Sequence, residues 1–105
     1  MTNHNASMRA RAAIIGGTGV GDRLSALGGR AICIPTTAGP MRGRLVEIAG
    51  IPTVLLKRHS VGHKVPPHRV NYRAMALGLR ALGVTCCLAT AAVGSLRPNW
   101  LPGTF

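Results

Sequence analysis

Apolar residues in this chain come in short runs broken by glycine and proline, a pattern that predicts several strands and few helices. Residues 12–15 (Ala-Ala-Ile-Ile) run straight into Gly16-Gly17-Thr18-Gly19-Val20-Gly21, which reads as a buried strand feeding a glycine turn. Asp22 is then expected to cap a short helix reaching Leu27. Residues 30–34 and 44–49 read as strands, with the Pro/Gly/Thr-rich stretch 35–43 as the loop between them. Gly50-Ile51-Pro52 predicts a tight connection, and residues 53–57 a further strand that pairs with the preceding one as a hairpin.

Pro66 and Pro67 exclude regular structure where they stand. Beyond them Met75, Leu79 and Leu82 recur at helical spacing and Gly83 follows, which predicts a helix over 70–82 with a glycine stop. On that segment Arg69, Arg73 and Arg80 fall on one side, as a solvated basic face would. Residues 84–89 form a nearly continuous apolar run, expected of a strand covered on both sides, with Cys86 and Cys87 on opposite faces as buried, inert thiols.

Strand, helix and strand in that order predict a right-handed crossover between parallel strands, and so an α/β fold with a mixed central sheet and flanking helices. Arg58 and Thr90 would then both sit at strand C-terminal ends, where open α/β sheets take their ligands. Three loops, 16–21, 58–68 and 90–95, are expected to meet there.

With 105 residues and 47% hydrophobic content, the chain suits one cooperative domain, its first eleven residues a flexible lead. No run approaches the ~20 apolar residues of a membrane span, and the early apolar stretch is too short for a signal sequence. Three cysteines, Cys33, Cys86 and Cys87, offer neither a disulfide framework nor a metal pair, so a reducing cytoplasm is expected.

Charge narrows the partners. Thirteen Lys and Arg face two carboxylates, Asp22 and Glu47, for a formal net charge of +11, which favours anions. A small basic nucleic-acid-binding module is one reading of that balance. Against it, the only aromatics are Tyr72, Trp100 and Phe105, and no basic run is interleaved with them as a base-stacking platform needs. A third reading is a non-catalytic remnant that keeps its sheet edges for a partner.

Candidate chemistry gathers in the loops. Glycines at 16, 17, 19 and 21 let backbone amides approach an anion, and Thr18 adds a hydroxyl. Arg58 presents a planar fork for two phosphate oxygens, with His59 beside it as a second donor. Thr90 opens a loop of small residues, Ala91, Ala92, Gly94 and Ser95, against which a substrate can lie. His59, His63 and His68 have no carboxylate or cysteine near them in sequence, so no metal site is expected.

Taken in order, Ile14-Ile15-Gly16-Gly17-Thr18-Gly19, Arg58-His59, Pro67-His68, Asn71-Tyr72-Arg73-Ala74, Leu82-Gly83-Val84, and Ala89-Thr90-Ala91 through Gly94-Ser95-Leu96 to Pro102-Gly103 resemble the phosphorylases that cleave purine nucleosides. The resemblance is to methylthioadenosine phosphorylase and its relatives acting on methylthioinosine or 6-oxopurine nucleosides, and it covers nearly all of the chain after its first ten residues. It implies a pentosyltransferase that uses inorganic phosphate as co-substrate, needs no cofactor and, at full length, assembles as a homotrimer. It also implies phosphate contacts from Thr18, Arg58, His59 and Thr90, with Ala91 bordering the sugar and base. Residues 12–105 would be the N-terminal portion of a single phosphorylase domain. Asp22 and Glu47 match none of the family's purine-binding carboxylates, so the isolated chain is expected to be inactive.

Overall fold

The computed structural model describes residues 9–17, 20–59 and 69–104. Thr18, His63 and His68 lie outside the described residues. Among the described residues, five strands and two helices follow one another as β1 (Ala12–Gly16), α1 (Val20–Ser25), β2 (Arg30–Ile34), β3 (Met41–Ile48), β4 (Ile51–Lys57), α2 (Tyr72–Ala81) and β5 (Cys86–Ala89). They build a single mixed sheet in the order β2-β3-β4-β1-β5. β1 is parallel to β4 on one side and to β5 on the other, while β2-β3 and β3-β4 are antiparallel. The mixed α/β class expected from the sequence is the one observed.

Alternation explains the core. One face of the sheet supplies Ala13, Ile32, Ile34, Met41, Val54 and Leu56, all buried, and α2 lays Leu79 and Leu82 on them. Gly78 makes that contact close: a Cβ there would stand 2.5 Å from the Met41 sulfur. Asn71 caps α2 by accepting a hydrogen bond from the Ala74 N–H at 3.1 Å. At the other end Gly83, with φ of 82°, closes a Schellman turn in which Gly83 N–H donates to Arg80 C=O and Val84 N–H to Leu79 C=O, both at 3.1 Å.

The hairpin between β3 and β4 turns on two residues, Ala49 and Gly50, with φ of 52° and 80°. The tight connection therefore precedes Ile51, and Pro52 already lies in β4, opposite Glu47. Proline is tolerated there because the ladder to β1 begins one residue later, at Thr53.

Three expectations change. β3 starts at Met41, three residues before the predicted Arg44, because Met41 is a core residue and Gly43 lets β3 press against β4. α1 begins at Val20, which puts Asp22 inside the helix and not at its cap. The expected burial of β5 also fails: all four of its residues are exposed, since β5 is an edge strand with β1 as its one partner and Leu88 is 60% exposed. Ahead of β1, Ala10 is buried and its N–H donates to Leu82 C=O at 3.1 Å, so the lead segment is anchored from there on.

Cys86 and Cys87 are therefore not buried thiols, and Cys33 on β2 is exposed as well. Such shielding as Cys87 has, with the Cys86 thiol beside it, raises its pKa above the ordinary thiol value. A native-state titration with a chromogenic disulfide reagent is expected to modify all three cysteines. Cys87 should be the slowest near neutral pH, because a raised pKa leaves less thiolate, and it should catch up as the pH rises. A single reactive thiol per native chain would contradict the exposure of β5.

Candidate functional site

β1, β4 and β5 are parallel neighbours, so their carboxyl ends open on the same edge of the sheet. The chain leaves them at Gly17, Arg58 and Thr90, and the ladder continues one step past the strands to align these residues. Arg58 N–H donates to Gly16 C=O at 3.0 Å, and Thr90 N–H donates to Ile15 C=O at 3.0 Å.

Side chains then lock the three together. Gly17 N–H donates to the Thr90 hydroxyl oxygen at 3.1 Å, and the Arg58 guanidinium donates through Nη2 to the Thr90 carbonyl. Because the hydroxyl oxygen accepts from Gly17, its own hydrogen remains to be given to another acceptor. Gly17 is the wedge that must be missing. A Cβ on it would come within 2.8 Å of Arg58 Nη1 and 3.0 Å of the Thr90 carbonyl oxygen, with the Ala91 Cα at 3.7 Å.

The structure thus brings Arg58 and Thr90 into contact, although 32 residues separate them in the chain. His59 follows directly, partly buried, and Ala91 borders the cluster on the exposed side. Sequence reasoning named Arg58, His59, Thr90 and Ala91 and treated Gly17 as one of four interchangeable glycines. Its particular role could be read only from its place, the first residue after a strand that pairs with both β4 and β5.

Electrostatics favour an anion. Lys57, Arg58 and His59 leave β4 in succession, while Glu47 sits opposite Pro52 beside the Ala49-Gly50 turn, at the far end of the β3-β4 ladder. Here a guanidinium, a hydroxyl and a narrow backbone approach can surround a small oxyanion and place it beyond the strand ends. Among the described residues, no group of three or more His, Cys, Asp or Glu side chains could hold a metal ion.

No protein-family model matches the chain. It is 44% identical over 95 residues to a probable 6-oxopurine nucleoside phosphorylase of Thermococcus kodakarensis, covering 90% of this chain and 36% of that protein. An S-methyl-5′-thioadenosine phosphorylase of Hyperthermus butylicus is 39% identical over 99 residues, covering 92% of this chain and 36% of its own length. Among solved structures, a methylthioadenosine phosphorylase from an antarctic soil metagenomic library superposes with a TM-score of 0.81 at 36% identity, over 91% of this chain and 34% of that one.

The chain is homologous to the N-terminal region of nucleoside phosphorylases. It spans about a third of the length of the curated relatives it matches. Over that third the fold superposes on the phosphorylase neighbour, and the Gly17–Arg58–Thr90 cluster stands at the carboxyl ends of this chain's three parallel strands β4, β1 and β5.

Proposed function

We propose that this chain forms the phosphate-holding part of a purine nucleoside phosphorylase, a pentosyltransferase acting on methylthioadenosine, methylthioinosine or a 6-oxopurine nucleoside. In that reaction a phosphate oxygen forms a bond to the anomeric carbon of the sugar. The carbon–nitrogen bond to the purine breaks, its electron pair leaves with the base, which takes up a proton, and the products are the free base and a sugar 1-phosphate. The observation that carries the reading is the contact of Arg58, Thr90 and Gly17 at adjacent parallel strand ends.

Each group has a definite task. Arg58 grips two oxygens of the phosphate dianion, and the Thr90 hydroxyl donates to a third, which fixes the orientation of the nucleophile. Thr18 and His59 complete the set of donors, and Ala91 borders the sugar and base. As the anomeric carbon gains positive character, the held dianion stabilises it at short range without waiting for solvent to reorganise. The share of the reaction assigned to this chain is the holding and orienting of phosphate.

A cytoplasmic location agrees with three free cysteines and with the absence, among the described residues, of a helix long and apolar enough to cross a membrane. The family resemblance supports assembly as a homotrimer for the full-length enzyme.

Calorimetric titration with inorganic phosphate tests the reading. Saturable one-to-one binding is expected, weakened by Thr90→Val by about 1 kcal/mol, roughly fivefold. Heat that rises without saturation, or binding indifferent to Thr90→Val, would overturn the assignment.

A further inference from the structure

β5 is the outermost strand on its side of the sheet, with β1 as its one partner among the described residues. Main-chain N–H and C=O groups point alternately to the two sides of a strand, so β1 uses only half of those in β5. Cys86 N–H donates to Arg11 C=O at 3.3 Å and Thr90 N–H to Ile15 C=O at 3.0 Å, which turns residues 86, 88 and 90 toward β1. Cys87 and Ala89 therefore present their N–H and C=O groups outward.

The two edges of the sheet are not alike. β2, at the opposite edge, opens with exposed Arg30 and is followed at once by Pro35, a charge and a proline of the kind that discourage pairing with another chain. β5 reads Cys-Cys-Leu-Ala, with no charge, no proline and no left-handed residue to interrupt a ladder. Its side chains agree. Leu55, Ile14 and Leu88 lie in register across β4, β1 and β5 on one face of the sheet. Leu55 is buried, Ile14 half-buried and Leu88 mostly exposed, so this apolar row is covered at β4 and left open at β5.

We propose that a second copy of this chain closes that edge, its β5 lying antiparallel to the first about a two-fold axis at Leu88. The register follows from the outward groups. Each Cys87 exchanges both main-chain bonds with the partner's Ala89, which satisfies the N–H and C=O of both residues on both strands. An axis at Cys87 would instead set Ala89 against the partner's Thr85, whose N–H is already given to Arg11 C=O at 3.0 Å, and an axis at Ala89 would set Cys87 against the partner's Ala91, beyond the strand. With the axis at Leu88, that residue meets the partner's Leu88 in a closely spaced pair, Cα atoms about 4.5 Å apart, and the apolar row runs on into the second sheet. A contact four residues long falls below the ~1,200 Å² of a standard interface, so the dimer forms and parts with concentration. Each copy carries a formal charge of +11, and their repulsion is screened by salt, so association strengthens as salt rises whereas polyanion binding weakens. The pairing uses neither Gly17, Arg58 nor the Thr90 side chain, so it and the phosphate assignment can fail independently.

Sedimentation equilibrium of the reduced chain is the first measurement, and a monomer–dimer equilibrium is expected, tighter at about 0.5 M than at about 0.05 M salt. Leu88→Lys, which sets two ammonium groups opposite each other, should weaken the dimer roughly tenfold or more. Ile51→Lys adds the same charge at another exposed apolar position, at the start of β4, and should leave it within about twofold. The register is read by cross-linking in a chain carrying Cys33→Ser, Cys86→Ser and Cys87→Ser. There Leu88→Cys should join two copies when treated with oxidised glutathione, the two thiols forming one disulfide and the reagent leaving as two molecules of glutathione, because a pair about 4.5 Å apart at Cα is within disulfide reach. Ile51→Cys in the same background should stay monomeric. A chain that is monomeric at every concentration up to about 1 mM would overturn the pairing and leave the edge to some other polypeptide. So would a trimer, association that weakens with salt, equal weakening by both lysine variants, or cross-linking no faster at position 88 than at 51.

Discussion

Arg58→Ala is expected to weaken inorganic phosphate binding by about 3 kcal/mol or more, roughly 100-fold, while far-ultraviolet circular dichroism and the thermal midpoint change little. The effect is large because Arg58 supplies both a full charge and a two-pronged donor. The fold should survive because Arg58 follows the last residue of β4, and its main-chain bond to Gly16 C=O needs no side chain. Arg58→Lys separates the two contributions: it keeps the charge and loses the fork, so it should recover part of the affinity but not all. Full recovery by lysine would mean that general electrostatics hold the anion and that the planar geometry is irrelevant. Equal binding by Arg58→Ala would remove phosphate from this site altogether.

The same residue shows how far the site was legible from sequence. Apolar runs closed by glycine or by a polar loop mark parallel strands, and three of them end at Gly16, Lys57 and Ala89. If such strands are neighbours, their exits must meet. Convergence of Arg58 and Thr90 therefore needed only the parallel arrangement, which the helix between β4 and β5 already required. Thr18 was named for its hydroxyl and lies outside the described residues, so the meeting rests on Gly17, Arg58 and Thr90.

What escaped the sequence has physical causes. Pro40 and Gly43 made the start of β3 resemble a loop, yet Gly43 is in the strand because its missing side chain leaves room for Leu56: a Cβ there would stand 2.6 Å from the leucine methyl. Local propensity cannot register a neighbour that arrives from another strand. β5 reads as a doubly covered strand, and its composition suits that position, but nothing among the described residues packs its faces. Burial is a property of neighbours, whereas periodicity reports only the tolerance of a segment for burial.

Gly17→Ala is the sharper test, because it replaces one hydrogen by a methyl group and removes no charge and no polar group. The new methyl carbon would stand 2.8 Å from Arg58 Nη1 and 3.0 Å from the Thr90 carbonyl oxygen, both inside ordinary contact distance. The guanidinium is the softer of the two, being the end of a long side chain, so it should swing away and give up its bond to Thr90. The carbonyl belongs to backbone tied by Thr90 N–H to Ile15, and it yields less. Affinity for phosphate is therefore expected to fall by about 1–3 kcal/mol, the usual range for overpacking, while Gly94→Ala, where nothing lies within 4 Å of the added carbon, should bind phosphate as before. A structure of the Gly17→Ala chain should show the guanidinium withdrawn from Thr90. If that variant binds phosphate normally with Arg58 still on Thr90, the approach of the three strand exits is looser than these distances state, and the wedge at Gly17 has no part in holding the anion.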